Sequence, residues 1–278
     1  IIPMKKIILS LLLLAISTIC FSEKYISYVP GNSSLILAGE KGVTTIHVNN
    51  SDWIGVRRAA KDLANDIMMV PCHQPELKES KGFYQSGHNS GIAHVLIGTI
   101  GKSDIIDRLI KKGKLNVDGI RGQWESYVLQ TIDGNLVIAG SDKRGTIYGI
   151  YDLSEKIGVS PWYWWADAKP EHHTNIYIKE GRYVQQSPKV KYRGIFINDE
   201  DWGLTPWSYL THEPSDTKGQ IGPKTHARIF ELLLRLRANT FWPAMHTCSV
   251  AFYLTPGNKE TADKYGIFIG TAHCEPMM

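Results

Sequence analysis

The stretch Ile195-Phe196-Ile197-Asn198-Asp199-Glu200-Asp201-Trp202 decides how this chain is read. A run of apolar β-formers stops abruptly in Asn-Asp-Glu-Asp, and Trp202, Trp207 and a Gly/Pro turn follow. A buried strand that releases polar groups from its C-terminal end is the way a parallel barrel presents chemistry to a substrate. Carboxylates beside indole rings combine acid–base groups with flat apolar faces, the combination that a sugar-cleaving site needs. A core strand followed by a solvated acidic loop fits the same residues, so the neighbouring stretches have to carry the reading.

Downstream, a long loop runs to Pro223 and a helix is expected over about 224–237, with Ile229, Leu232, Leu233 and Leu236 on one face. Residues 238–242 read as the next strand, ended by Pro243. A short helix around 260–265 leads into a strand at 267–271, whose end is His273-Cys274-Glu275-Pro276. The order β-loop-α-β-loop-α-β, with polar or aromatic groups at each strand end, matches the opening of a (β/α)8 barrel. Only 87 residues run from Tyr192 to Met278, whereas a closed barrel takes about 250. The expectation is therefore a truncated barrel, and a fragment of a longer protein.

Upstream, residues 25–184 alternate short strands and helices. Residues 44–48 read as a strand, after which Asp52 is placed to cap a helix with Val56, Ala59, Ala60, Leu63 and Ile67 inward and Arg57, Arg58, Lys61 and Asp66 outward. A strand at 94–99 precedes a helix near 104–111. Asp133-Gly134 between two apolar runs is a strong hairpin signal. A helix at about 146–157 stops at Gly158, and residues 185–188 read as a linker. The fold class is α/β: an N-terminal α/β layer domain at 23–187, then the first strands of a truncated (β/α)8 barrel at 188–278.

Residues 1–22 stand apart as an expected signal peptide. Met4-Lys5-Lys6 is a basic head, 7–16 is almost wholly apolar, and a small-residue stretch leads to a cleavage point near Ser22. Ile1, Ile2 and Pro3 precede the expected start at Met4. Once cut, the segment leaves nothing in the membrane, and the expected location is periplasmic or secreted. Removing Lys5 and Lys6 leaves 29 basic residues against 27 acidic ones, with no basic tract of the nucleic-acid type. Cys72, Cys248 and Cys274 show no metal-finger spacing. Neither a metal nor another cofactor is expected, and nothing in the sequence speaks to oligomeric state.

Four blocks resemble glycoside hydrolase family 115, the xylan α-1,2-glucuronidases: Tyr151 to Asp167, Tyr192 to Trp202, Ala238 to Met245, and Gly270 to Met277. The resemblance covers about the last 130 residues and implies removal of glucuronic acid, or its 4-O-methyl ether, from glucuronoxylan or aldouronic oligosaccharides with inversion at the anomeric carbon. Inversion needs two carboxyl groups about 6.5–9.5 Å apart. Asn198 suits sugar hydroxyls, and Asp199 is the candidate catalytic group, holding hydroxyls or the attacking water. Trp242 is a candidate stacking platform, and His273 a donor to the sugar or its carboxylate. The resemblance also implies that the N-terminal domain lends Glu155 to the pocket. Trp162 to Trp165 line a glycan cleft or pack between the domains. The principal catalytic acid of the family lies, by resemblance, on a later strand, so this chain alone is expected to be inactive. Competing motifs are weak: Gly140 to Thr146 lacks the P-loop lysine, and Ser208 and Ser249 lack a nucleophile elbow. Two alternatives stay open, a non-catalytic glycan-binding module and an exo-hexosaminidase-like glycosidase.

Overall fold

The computed structural model describes residues 25–32, 34–82, 91–197, 201–244 and 246–271. The first half holds β1 (Ile26–Ser27), β2 (Ser34–Gly39), β3 (Gly42–Val43), β4 (Thr45–Asn49), α1 (Ile54–Met69), β5 (Glu76–Ser80), β6 (Val95–Thr99) and α2 (Asp104–Lys111). Next come β7 (Tyr127–Ile132), β8 (Asn135–Gly140), α3 (Lys143–Lys156), β9 (Ile176–Lys179) and β10 (Arg182–Gln185). The C-terminal part contains β11 (Gly194–Phe196), a short irregular helical turn over 204–212, α4 (Pro223–Arg235), β12 (Thr240–Trp242), α5 (Asn258–Tyr265) and β13 (Phe268–Ile269).

A six-stranded sheet in the order β10-β7-β8-β6-β4-β5 forms the centre. β4, β5, β6 and β8 are parallel, and β7 and β10 add antiparallel strands at one side. Side chains alternate along a strand, so one sequence feeds two cores. Leu136 and Ile138 of β8 enter the cluster under α1 and α3, while Val137 and Ala139 enter the cluster under α2. The hairpin at Asp133-Gly134 forms as its sequence predicts, with φ of 49° and 73° at the two turn residues and Ile132 paired to Asn135. A smaller antiparallel sheet, β1-β9-β2-β3, flanks this layer.

α1 buries the expected face completely: Val56, Ala59, Ala60, Leu63 and Ile67 have no exposed surface. Burial of each large aliphatic chain there is worth about 1.5–3 kcal/mol. Two expectations for this helix fail. Asp52 does not cap it. Its carboxylate accepts from the Trp53 amide (2.7 Å), the Thr99 amide (2.7 Å) and the Thr99 hydroxyl (2.8 Å), which ties the helix start to the tip of β6. Asp66 is 1% exposed rather than outward, and both its oxygens accept from Arg235 of α4, at 2.9 and 3.0 Å. Arg58 is also drawn inward, pairing with Asp62 and donating to the Tyr151 hydroxyl at 2.9 Å.

The third sheet is parallel, in the order β11-β12-β13. Phe196 lies beside Trp242, and Phe241 beside Ile269. α4 and α5 cross between these strands, and Phe230, Leu233, Phe241 and Tyr265 join the same core as α1 and α3. The expected boundary at 187–188 falls in the stretch between β10 and β11. Among the described residues no helix is long and apolar enough to cross a membrane, and Cys72 is a free thiol.

Candidate functional site

The three parallel strands are held from below by one buried carboxylate. Glu125 has a fully buried side chain and accepts from Arg144 (2.5 Å), Arg193 (2.6 Å) and the Asn239 amide (2.7 Å). Asn239 also accepts from the Arg193 backbone N–H at 2.9 Å. Arg193 and Asn239 directly precede β11 and β12, so Glu125 sets the height at which both strands start. Close strand contact is required here: a Cβ on Gly194 would lie 1.6 Å from the Thr240 carbonyl oxygen.

The helix joining the first two strands is set at its start by Glu213. That carboxylate accepts from the backbone N–H groups of Lys224 and Thr225, each at 3.0 Å through Oε2, at the positive end of α4. Pro223 occupies the first turn, where no N–H is needed. Beneath the sheet, His226 is buried among Phe230, Phe241 and Phe252. Its Nδ1 lies 3.1 Å from both the Gly222 carbonyl and Asn258 Oδ1. Burial pushes its pKa down to about 4, against the opposing pull of those two contacts.

At the C-terminal edge the structure brings aromatic tips together. The Phe196 and Trp242 rings sit 6.1 Å apart and inclined at 61°, with Trp242 42% exposed. Phe241, one residue earlier, points the other way and is buried. Gly270 after β13 makes room for the indole: a Cβ there would lie 2.0 Å from Trp242 Nε1. Trp202, beyond β11, is 83% exposed. Of the predicted site residues, Trp242 therefore presents an open indole face at a strand end. Asn198, Asp199 and His273 lie outside the described residues.

Among the described residues Glu155 stands apart from Trp242. Its carboxylate accepts from Arg237 Nη2 at 2.9 Å. Arg237 follows the C-terminal end of α4, and its carbonyl accepts from Arg193 just before β11. A crossover helix runs against its strands, so this end of α4 lies at the N-terminal edge of the sheet. Glu155 and Asp152 line a polar cleft of about 450 Å³ there, with Tyr148, Arg193 and Arg237. From Glu155 the chain then climbs α4: the Tyr163 hydroxyl donates to Glu231 (3.0 Å), and Trp165 Nε1 donates to the Arg228 carbonyl (3.2 Å).

Sequence reasoning missed the residues that hold these strands in place, chiefly Glu125, Asn239 and the α1–α4 ion pairs. One signal was present. Arg58, Asp62 and Asp66 recur at every fourth position beside the apolar stripe of α1, a row too near the core to be solvated. Among the described residues no group of three or more His, Cys, Asp or Glu side chains is arranged to hold a metal ion.

Residues 185–278 match glycosyl hydrolase family 115. A solved family GH115 4-O-methyl-α-glucuronidase, BtGH115A, described as specific for decorated arabinogalactans, is 44% identical with a TM-score of 0.73. The match covers 88% of this chain and 30% of that enzyme. Streptomyces plicatus N-acetyl-β-hexosaminidase matches at 10% identity and a TM-score of 0.50, over 89% of this chain and 44% of that one, a likeness of fold alone. Comparison with curated proteins gives no match. The α/β layer followed by parallel strands with aromatic tips is thus a glycoside-hydrolase architecture. The chain belongs to glycoside hydrolase family 115, and it spans under a third of the length of the solved enzyme.

Proposed function

We propose that the protein to which this chain belongs removes glucuronic acid, or its 4-O-methyl ether, from a plant polysaccharide by hydrolysis with inversion. The observation that carries this reading is the parallel register of β11, β12 and β13 with Phe196 and Trp242 side by side at their C-terminal ends, in a chain 44% identical to an α-glucuronidase. In this reading the three strands open a (β/α)8 barrel, whose site gathers at the C-terminal strand ends. Trp242 stacks on a pyranose ring, Asn198 and His273 hydrogen-bond the sugar or its carboxylate, and Asp199 orients hydroxyls or the attacking water. Glu155, tied to Arg237, serves the docking of the N-terminal layer instead. Two carboxyl groups about 6.5–9.5 Å apart are needed for inversion, and the resemblance puts the acid on a later strand. These 278 residues alone then bind without turnover. Xylan is the backbone implied by the sequence blocks, and the relative's specificity favours decorated arabinogalactan as a second reading.

The test is to incubate the full-length protein, prepared for secretion with residues 1–22 as signal, with aldouronic oligosaccharides and with glucuronidated arabinogalactan. Release of uronic acid, first seen by NMR as the β-anomer and abolished by Asp199→Asn, is the expected result. Release of the α-anomer first removes the inverting mechanism. Release of N-acetylhexosamine instead makes it a hexosaminidase, and binding without any release makes it a glycan-binding module.

A further inference from the structure

Between the segment that climbs α4 and the helical turn after β11 lies an aromatic cleft of about 560 Å³, lined by Tyr163, Trp164, Trp165, Trp207 and Asp167. That volume is in the range of small-ligand sites, and none of the described strand-tip residues lines it. The rings are held in fixed and mutually inclined poses. Trp164 meets Trp165 at 84° with centroids 4.9 Å apart, and meets Trp207 at 67° and 6.1 Å. Trp207 is backed by the His212 ring, stacked at 4.6 Å and 6°, and Arg228 lies 4.8 Å from the Trp164 centroid. Trp165 and Tyr163 are anchored to α4 by their hydrogen bonds.

These rings stay only partly buried, although three indoles in one place carry enough apolar surface to seal a core. Inclined rings leave faces free that stacked rings would cover. The charge at the rim selects the ligand. Asp167 is exposed and anionic, and the cation nearby, Arg228, is already paired with Glu231 at 3.1 Å. An anionic sugar is disfavoured at such a rim, whereas neutral hydroxyls find an acceptor in Asp167 and apolar ring faces on the indoles. His212 Nε2 is buried with no hydrogen-bond partner among the described residues, leaving a polar atom unspent behind Trp207.

We propose that this cleft binds a run of neutral pyranose residues, the unsubstituted backbone of a polysaccharide, at a place separate from the strand tips. The choice of a polysaccharide rests on the functional reading above, but the site does not depend on where the uronic acid is cut. The full-length protein is titrated with an unsubstituted β-1,4-xylo-oligosaccharide and an unsubstituted β-1,3-galacto-oligosaccharide, by calorimetry and tryptophan fluorescence. Saturable binding of at least one is expected. It weakens about tenfold in Trp207→Ala, roughly the loss of one aromatic contact of this kind, and severalfold in Asp167→Ala. Asp167 is exposed, so its replacement reports on binding even where Trp207→Ala disturbs folding. Binding of the xylo-oligomer alone assigns a xylan backbone, and of the galacto-oligomer alone a galactan. Failure of both ligands to bind overturns the proposal, as does binding abolished by Trp242→Ala but kept by both cleft variants. If the protein releases no uronic acid yet the neutral oligomers bind in this pattern, the enzymatic reading fails and the cleft stands.

Discussion

Replacing Asp66 by alanine tests the buried ion pair that joins α1 to α4. Arg235 donates to both Asp66 oxygens, at 2.9 and 3.0 Å, and the two side chains are 3% and 1% exposed. Arg235 keeps Glu231 at 2.9 Å and lies over the Tyr151 and Tyr163 rings. In Asp66→Ala two guanidinium nitrogens lose their acceptors where water has no access. Burial pushes the Asp66 carboxyl up, against the pull of Arg235. Breaking one partner of such a pair costs about 3–5 kcal/mol, a large share of the about 5–15 kcal/mol that holds a typical protein together. The double replacement Asp66→Leu with Arg235→Met removes both charges and restores apolar volume, leaves Glu231 with Arg228 and the Tyr163 hydroxyl as partners, and is expected to be more stable than the sum of the two single replacements. Urea unfolding followed by tryptophan fluorescence measures Asp66→Ala and, as the four chains of a double-mutant cycle, the wild type, Asp66→Leu, Arg235→Met and the double variant. A single-variant loss below about 1 kcal/mol, or a double variant no better than the sum of the singles, would refute the argument.

Two further outcomes follow from the strand sheet. Gly270→Ala places a methyl where the Trp242 indole lies, 2.0 Å from Nε1. It should cost about 1–3 kcal/mol as overpacking or displace the ring, and calorimetry with aldouronic oligosaccharides should show weakened binding; unchanged affinity and stability would mean that the ring does not depend on this gap. His226 titrates in the unfolded chain near 6.5 but only near about 4 when buried. Between these values the unfolded state binds the extra proton, so the stability is full above about pH 6.5 and declines as pH falls toward 4, by about 3 kcal/mol in total. His226→Gln should reduce that slope, leaving one of the same sign from His47, which burial and then His94 push down to about 4. Identical slopes in the two proteins count against this assignment.

The elements were legible wherever local chemistry dictates them. The Asp133-Gly134 turn, the apolar face of α1 and the helix at 104–111 all form where period and turn residues put them. Misreadings came at groups whose partners are distant in sequence. Asp66 finds Arg235 across 169 positions, and Glu125 finds Asn239 across 114. On a helical wheel Asp66 is a charged residue at the margin of an apolar stripe. Nothing local separates a solvated margin from one that meets a second helix bearing the opposite charge. The partner of Glu155 was illegible for a related reason: its position along the chain, just before the tryptophan-rich segment, does not tell which end of the crossover helix it will meet.

By itself the sequence determined the alternation of strands and helices, the family, and the aromatic ending of the second parallel strand, because periodicity, turn chemistry and motif blocks are local properties. Only the tertiary structure decided which charges are buried, which edge of the parallel sheet receives Glu155, and that Gly270 leaves space for Trp242. Each of these depends on a partner brought close by packing, and a buried ion pair or a steric gap exists only once both sides are in place.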